Sequence, residues 1–200
     1  MKKLHLLFVS LLLSFFAQAQ LPDKAENISP LLIGESVPNI TLTSTDGKSI
    51  LTSALFQEKP TIAVFYRGGW CPYCNKQLAE LAKMESDILA MGYQIVAISP
   101  DAPASLKATM GKNELKYQLY SDSKGELMKA IGIAFQAPER AKPYIEKGSE
   151  GINKDMLPVP TVLVLDKTGL ILFEYISPNY QKRMSGQMLM AVLKSIAIPQ

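Results

Sequence analysis

Two cysteines separated by two residues, Cys71 and Cys74 in the run Trp70-Cys71-Pro72-Tyr73-Cys74, are the residues whose type and spacing most directly carry chemistry. They are the only cysteines in the chain, so no long-range structural bridge can form within it. A disulfide between them closes a loop too small to remove much entropy from the unfolded state, and its value is therefore chemical rather than structural. Two thiolates also fall short of the four ligands that a structural zinc site takes, and no second pair exists to complete one. What remains is redox chemistry between a thiolate that attacks and a neighbour that closes a disulfide upon it, which calls for no metal, haem or flavin.

The elements that must position the pair lie on either side of it. Thr61 to Tyr66 is a continuous apolar, β-branched run of the kind that forms a strand buried on both faces. After the cysteines, Leu78, Leu81, Ala82, Met84, Ile88 and Leu89 recur at helical spacing, and Gly92 marks a stop. Pro72 suits the first helical position, which places Cys71 at the N-cap and Cys74 in the first turn. Free backbone N–H groups and the helix dipole there lower a thiol from its usual value of about 8.5 into a reactive range. Arg67, four residues upstream of Cys71 and beside Gly68-Gly69, adds a cation to the same end. The candidate catalytic residues are thus Cys71, Cys74 and Arg67.

Elsewhere the pattern alternates strands and helices, which predicts an α/β fold with a central mixed sheet flanked by helices. Val37, Ile40 and Leu42 suggest a first strand, Asp46-Gly47 a turn and Ile50-Leu51 the return, giving an N-terminal β-hairpin. A second buried strand over 93–98 leads to a helix over 104–113. A short strand over 117–120 then precedes Ser121-Asp122-Ser123, a capping cluster for a helix through Leu127, Met128 and Ile131. Residues 135–157, with Pro138, Pro143 and Gly148, read as an insertion holding one or two helical turns, either shaping a site or crossing the surface without functional weight. The chain closes with a strand at Thr161 to Leu165, a turn at Asp166 to Gly169, a partner strand at Leu170 to Ile176 and a helix over 182–196. Met184, Met188 and Met190 of that helix read as packing residues rather than metal ligands.

The composition bounds the function. With 48% hydrophobic and 20% charged residues, 200 residues suffice for one domain with some accessory sequence. Lys2 and Lys3 precede an apolar run from Leu6 to Phe16 that ends in Ala17-Gln18-Ala19, which predicts a signal peptide over 1–19 and an exported protein, periplasmic or secreted. The run is well short of the roughly 20 residues that span a bilayer, so no membrane anchor is expected. Cleavage removes two lysines, taking 21 basic residues to 19 against 18 acidic ones, a net charge of +1 that argues against nucleic-acid binding. It also removes His5, the only histidine, and with it every mechanism that pairs cysteine or serine with an imidazole. Residues 20–33 are a lead-in segment, and the domain proper runs over 34–200.

The run Phe65-Tyr-Arg-Gly-Gly-Trp-Cys-Pro-Tyr-Cys-Asn-Lys-Gln-Leu78 resembles the alkyl hydroperoxide reductase/thiol-specific antioxidant family, the peroxiredoxin-like proteins. The similarity extends from about Gly34 to Leu193, carried also by Val96 to Asp101, Leu119 to Gly125 and Pro160 to Gly169. It implies a thioredoxin-like fold, reduction of hydroperoxides, and a thioredoxin-like external dithiol as reductant. On the peroxiredoxin frame Cys74 takes the attacking position, while Cys71 replaces a threonine and Arg67 a proline. On the thioredoxin frame Cys71 attacks and Cys74 resolves, so the attacker is left open. The family's active-site arginine is replaced by proline at Pro160, which resembles the cis-proline loop that faces the cysteine pair in thioredoxins and receives substrate backbone. Trp70 and Pro160 are accordingly the expected substrate contacts, and Arg67 is expected to take over the missing arginine's role. Tyr180 and Arg183 recur in similar sequences without an assigned chemistry. Three functions follow from these residues: a thiol peroxidase, a thiol-disulfide oxidoreductase acting on exported proteins, or a binding protein with an inert disulfide.

Overall fold

A computed structural model describes residues 20–196, so the expected signal segment lies outside the described residues. The chain runs β1 (Thr41–Ser44), β2 (Ser49–Leu51), α1 (Thr52–Phe56), β3 (Thr61–Phe65), α2 (Pro72–Ala90), β4 (Gln94–Ser99), α3 (Pro103–Lys112), β5 (Gln118–Ser121) and α4 (Glu126–Ala130). It continues through β6 (Ala134–Gln136), α5 (Lys142–Gly148), β7 (Met156–Pro158), β8 (Thr161–Leu165), β9 (Ile171–Ile176) and α6 (Gly186–Ser195). Seven strands form one mixed sheet in the order β2-β1-β5-β4-β3-β8-β9, the α/β architecture expected from the alternation of elements. The apolar run at 61–65 lies inside the sheet, parallel to β4 and antiparallel to β8, with all five residues buried.

Because successive strand residues face opposite sides, β3 divides its side chains between two layers. Ile62, Val64 and Tyr66 join one core with Leu78, Leu81 and Ile88 of α2, Leu106 of α3, and Leu189 and Leu193 of α6. Ala63 and Phe65 join the other with Phe56 of α1 and Leu127 and Met128 of α4. Full burial of one such aliphatic side chain contributes about 1.5–3 kcal/mol, so α2 is anchored to the sheet by its apolar stripe. Its end lies where the sequence marks it, with Gly92 at φ 85°, a left-handed conformation that glycine adopts without a Cβ clash. α4 is steadied by Asp122, whose carboxylate accepts from Leu127 N at 3.2 Å and Met128 N at 2.9 Å.

Three local expectations change. Val37 lies before the first strand, next to Pro38, which lacks the N–H a ladder needs, and Val37 N donates instead to Gly169 O at 2.9 Å. The last helix begins at Gly186 rather than near residue 182, because the Ser185 hydroxyl accepts from Met188 N at 3.2 Å and caps it there. Ahead of it Asn179 organises a turn, accepting from Gln181 N at its side chain and from Lys182 N at its carbonyl. The insertion also carries more structure than one or two helical turns. β6 and β7 pair antiparallel, and Ala137, Ala141, Ile145 and Leu157 form a small core against which Trp70 packs. The lead-in segment is tied down through Gln136 N to Pro22 O at 2.9 Å and Leu31 N to Ile131 O at 3.1 Å.

Candidate active site

The loop between β3 and α2 is built to set the first cysteine at a helix terminus. Gly68, at φ 141°, turns the chain in a space where a Cβ would press on Trp70 and the Asp101 carboxylate. Cys71 N closes this turn on Gly68 O at 3.1 Å, and Gly69 N donates to Asp101 Oδ2 at 2.7 Å. Gly69 O accepts from Asn75 Nδ2 at 2.8 Å, and Asn75 Oδ1 accepts from Asn113 Nδ2 at 3.0 Å. The loop is thereby fastened to α2, α3 and the end of β4. Asp101 is buried and largely desolvated, which raises its carboxyl to about 6 against the opposing bond from Gly69. Cys71 is the N-cap of α2 and Pro72 its first residue, as the spacing predicts.

The two sulfurs differ sharply. Both are free, buried thiols, the reduced form of the expected redox pair. Cys71 is lowered from 9.0 to about 6, first by the hydrogen bond from the Cys74 thiol, then by the Cys74 backbone N–H and the charges of Arg67 and Arg183, against the opposing effect of burial. Cys74 moves the other way, because burial disfavours its thiolate and its proton is held towards Cys71. Arg183 lies on the far side, its Nη2 3.4 Å from Cys74 Sγ and its Nη1 bonded to the carbonyls of Tyr180 and Lys182. Of the two thiols, Cys71 is thus the more acidic.

Cys71 opens into a cavity of about 300 Å³ lined by Arg67, Trp70, Tyr73, Arg140, Tyr144 and Tyr180. The Arg67 guanidinium is sandwiched, its centre 4.8 Å from the Trp70 ring and 4.3 Å from the Tyr180 ring. Trp70 stacks on Tyr144 at 5.4 Å, and Tyr73 meets Tyr180 edge-on at 5.7 Å. Arg67 is 7% exposed, and its Nε has no hydrogen-bond partner among the described residues. A buried donor held by two aromatic rings suits an acceptor that arrives with a substrate.

Of the residues singled out from sequence, Cys71, Arg67 and Trp70 line this cavity, and Cys74 lies beneath it. Pro160 lines an adjoining groove with Arg67 and Tyr180 rather than the cavity that holds Cys71. No cis peptide occurs among the described residues, so the bond preceding Pro160 is trans rather than cis. Val159 N already donates to Ile133 O and Pro160 O accepts from Ser177 N, which leaves this backbone no free pair of groups to receive a substrate strand. Arg183 and Tyr180 prove to be site residues. Arg140 and Tyr144 reach the site from the insertion, and nothing in their local sequence marks them.

A model of the AhpC/TSA family matches residues 33–173. The chain belongs to the AhpC/TSA family. Among AhpC/TSA relatives, peroxiredoxin bcp1 of Schizosaccharomyces pombe is 33% identical over 112 residues, 56% of this chain and 57% of that protein. The match thus spans little more than half of the yeast protein's length. Chloroplastic peroxiredoxin Q of Triticum aestivum is 29% identical over 181 residues, covering 88% of this chain and 76% of the wheat protein. Peroxidoxin BcpB of Mycobacterium tuberculosis shares the fold with a TM-score of 0.66 at 20% identity, covering 82% of this AhpC/TSA chain and 97% of the mycobacterial one.

Proposed function

We propose that this chain is a thiol peroxidase in which Cys71 attacks and Cys74 resolves. The observation that carries the reading is the asymmetry of the pair: an acidic thiol at the helix N-cap opens into a small cavity, with its partner thiol buried directly behind it. With its proton lost at about 6, Cys71 is roughly nine-tenths thiolate at pH 7. The thiolate attacks the terminal oxygen of a hydroperoxide and the O–O bond breaks, the leaving oxygen departing as alcohol or water with the hydroperoxide's proton. The resulting sulfenate takes one proton from solvent; Cys74 attacks its sulfur, gives up the thiol proton, and water leaves as the disulfide forms. An external dithiol then reduces the disulfide by two exchange steps and is itself oxidised. Arg67 faces the oxygen that gains charge, and Arg183 favours the Cys74 thiolate when it is needed.

Names of relatives support the reading, since the yeast and wheat proteins are peroxiredoxins. Action on exported protein disulfides is the weaker alternative, because Cys71 is 1% exposed and a folded protein's disulfide cannot reach it without the cavity opening. The N-terminal pattern supports export, which N-terminal sequencing of the protein from its host would test by a first residue of Gln20. The function is tested by stopped-flow mixing of the reduced protein with hydrogen peroxide, following Trp70 fluorescence in the native chain and in C71S and C74S. The reading expects rapid oxidation that survives in C74S and is lost in C71S. Survival in C71S alone would reverse the two roles, and a rate no greater than that of a free thiol in every form would refute the peroxidase.

A further inference from the structure

The charges around Cys71 do not balance. Arg67 and Arg140 both line the sulfur cavity and no carboxylate does. Neither arginine forms an ion pair among the described residues; the nearby Lys142 is bonded to Glu139, which takes that acid out of play. Arg67 is buried and occupied on both faces by Trp70 and Tyr180, so its role is local to the reacting oxygen. Arg140 is different: it is exposed, it comes from the turn before α5, and it stands at the junction of the sulfur cavity with the groove lined by Pro160. That outer groove is close to neutral, because Asp23, Glu26 and Glu139 accompany Lys24, Lys142 and the arginines. In the inner cavity Arg67 stands beside the one negative charge, the Cys71 thiolate, and Arg140 is left at the rim without a carboxylate, among four aromatic rings.

We infer that this cavity is a subsite for an aromatic carboxylate, and that Arg140 makes the enzyme prefer hydroperoxides carrying one. This rests on the peroxidase reading for its chemistry and on the cavity alone for its binding. The aromatic walls take the ring of the substrate, Arg67 meets the peroxide oxygen next to Cys71, and Arg140 meets the carboxylate at the rim. A volume of about 300 Å³ is at the small end of ligand sites, which fits one ring with two short substituents. The groove beyond, with its mixed charges, has no such preference.

The test compares cumene hydroperoxide with its 4-carboxy derivative, both at neutral pH against the reduced protein, with 4-isopropylbenzoate as an unreactive probe. The carboxylate is expected to raise the second-order oxidation rate at least about fivefold, the scale of one partly exposed charged hydrogen bond. That ratio should fall towards one in R140Q, stay partly intact in R140K, and shrink with added salt. 4-Isopropylbenzoate should change Trp70 fluorescence saturably in the native protein, and R140Q should weaken its binding by a similar factor. Equal rates for the two hydroperoxides, each far above that of a free thiol, would overturn the preference and leave the peroxidase standing. Slow reaction with both would refute the peroxidase and the preference together. Isopropylbenzoate binding dependent on Arg140 would then still establish the carboxylate subsite, and its absence would remove that too.

Discussion

Substituting Cys74 by alanine tests whether the Cys74 thiol is what makes Cys71 acidic. Cys71 falls from 9.0 to about 6, a difference of three units, or about 4 kcal/mol as an upper bound that screening at the cavity mouth reduces. The Cys74 thiol is the largest contributor, ahead of the Cys74 backbone N–H and the two arginines, which C74A leaves in place. C74A is therefore expected to raise Cys71 by about one to two units. C74S, which keeps a hydroxyl donor, should raise it less, and R67Q should shift it by about half a unit. Thiolate absorbance at 240 nm against pH reads the midpoint, and the pH dependence of alkylation by iodoacetamide checks it. At pH 7 the ionised fraction in C74A should drop from about nine-tenths to a half or less, and the alkylation rate with it. The same shift has a stability signature. A depressed folded-state value stabilises the fold above the unfolded thiol's pKa, and that contribution is lost as pH falls through about 6. C74A should thus lower the melting temperature more at pH 9 than at pH 5, apart from the cost of the cavity it leaves. A midpoint still near 6 in C74A, or a larger shift in R67Q, would refute the reasoning and assign the acidity to the helix terminus or the arginines.

Asp101 makes the opposite prediction: its carboxyl is raised from 3.8 to about 6, so the folded state holds the proton more tightly and stability falls as pH rises across that window. D101N should flatten the thermal-melt profile between pH 4 and 6, removing up to about 3 kcal/mol of pH dependence. Leu78 is fully buried one turn beyond Cys74, and L78A should cost about 2–5 kcal/mol in denaturant unfolding. In G69A the new methyl would collide with the Thr109 hydroxyl, which should cost about 1–3 kcal/mol and slow Cys71 alkylation or speed it as the loop shifts; T109A should restore part of the loss, and full stability in G69A alone would contradict the packing.

Local order made the centre of the site readable. The buried run at 61–65, Pro72 at a helix start, the apolar stripe of α2 and the glycine after it all act within a few residues of Cys71, where propensity, capping and period agree. The acidity of one cysteine was legible, but the sequence left open which one, because that depends on what each sulfur touches. Arg183 lies 109 positions from Cys74, and a helix expected from residue 182 hid the turn that aims it. Asp101 falls in the gap between the strand expected over 93–98 and the helix over 104–113, and it is the buried acceptor that holds the cysteine loop. The insertion was opaque for a different reason: β6 and β7 have three residues each, too few to show alternation, and their pairing spans a stretch rich in polar residues.

That insertion is fastened at both ends and centred on its own small core. It holds the lead-in segment through Gln136 N and Pro22 O, and it holds the N-cap of α3 through Ala102 N and Gly148 O at 2.9 Å. Its contribution to the sulfur cavity is confined to one face, where Arg140, Ala141 and Tyr144 look across at Cys71. Arg67, the two cysteines and Arg183, by contrast, belong to the loop after β3, to α2 and to the turn before α6. The cavity is therefore a seam, with one wall from the insertion and the other from the loops that carry Arg67, Trp70 and Tyr180, and the stacking of Tyr144 on Trp70 joins the two. Exchanging residues 137–155 would reshape the cavity and resettle Trp70 and the Arg67 guanidinium against it in one step.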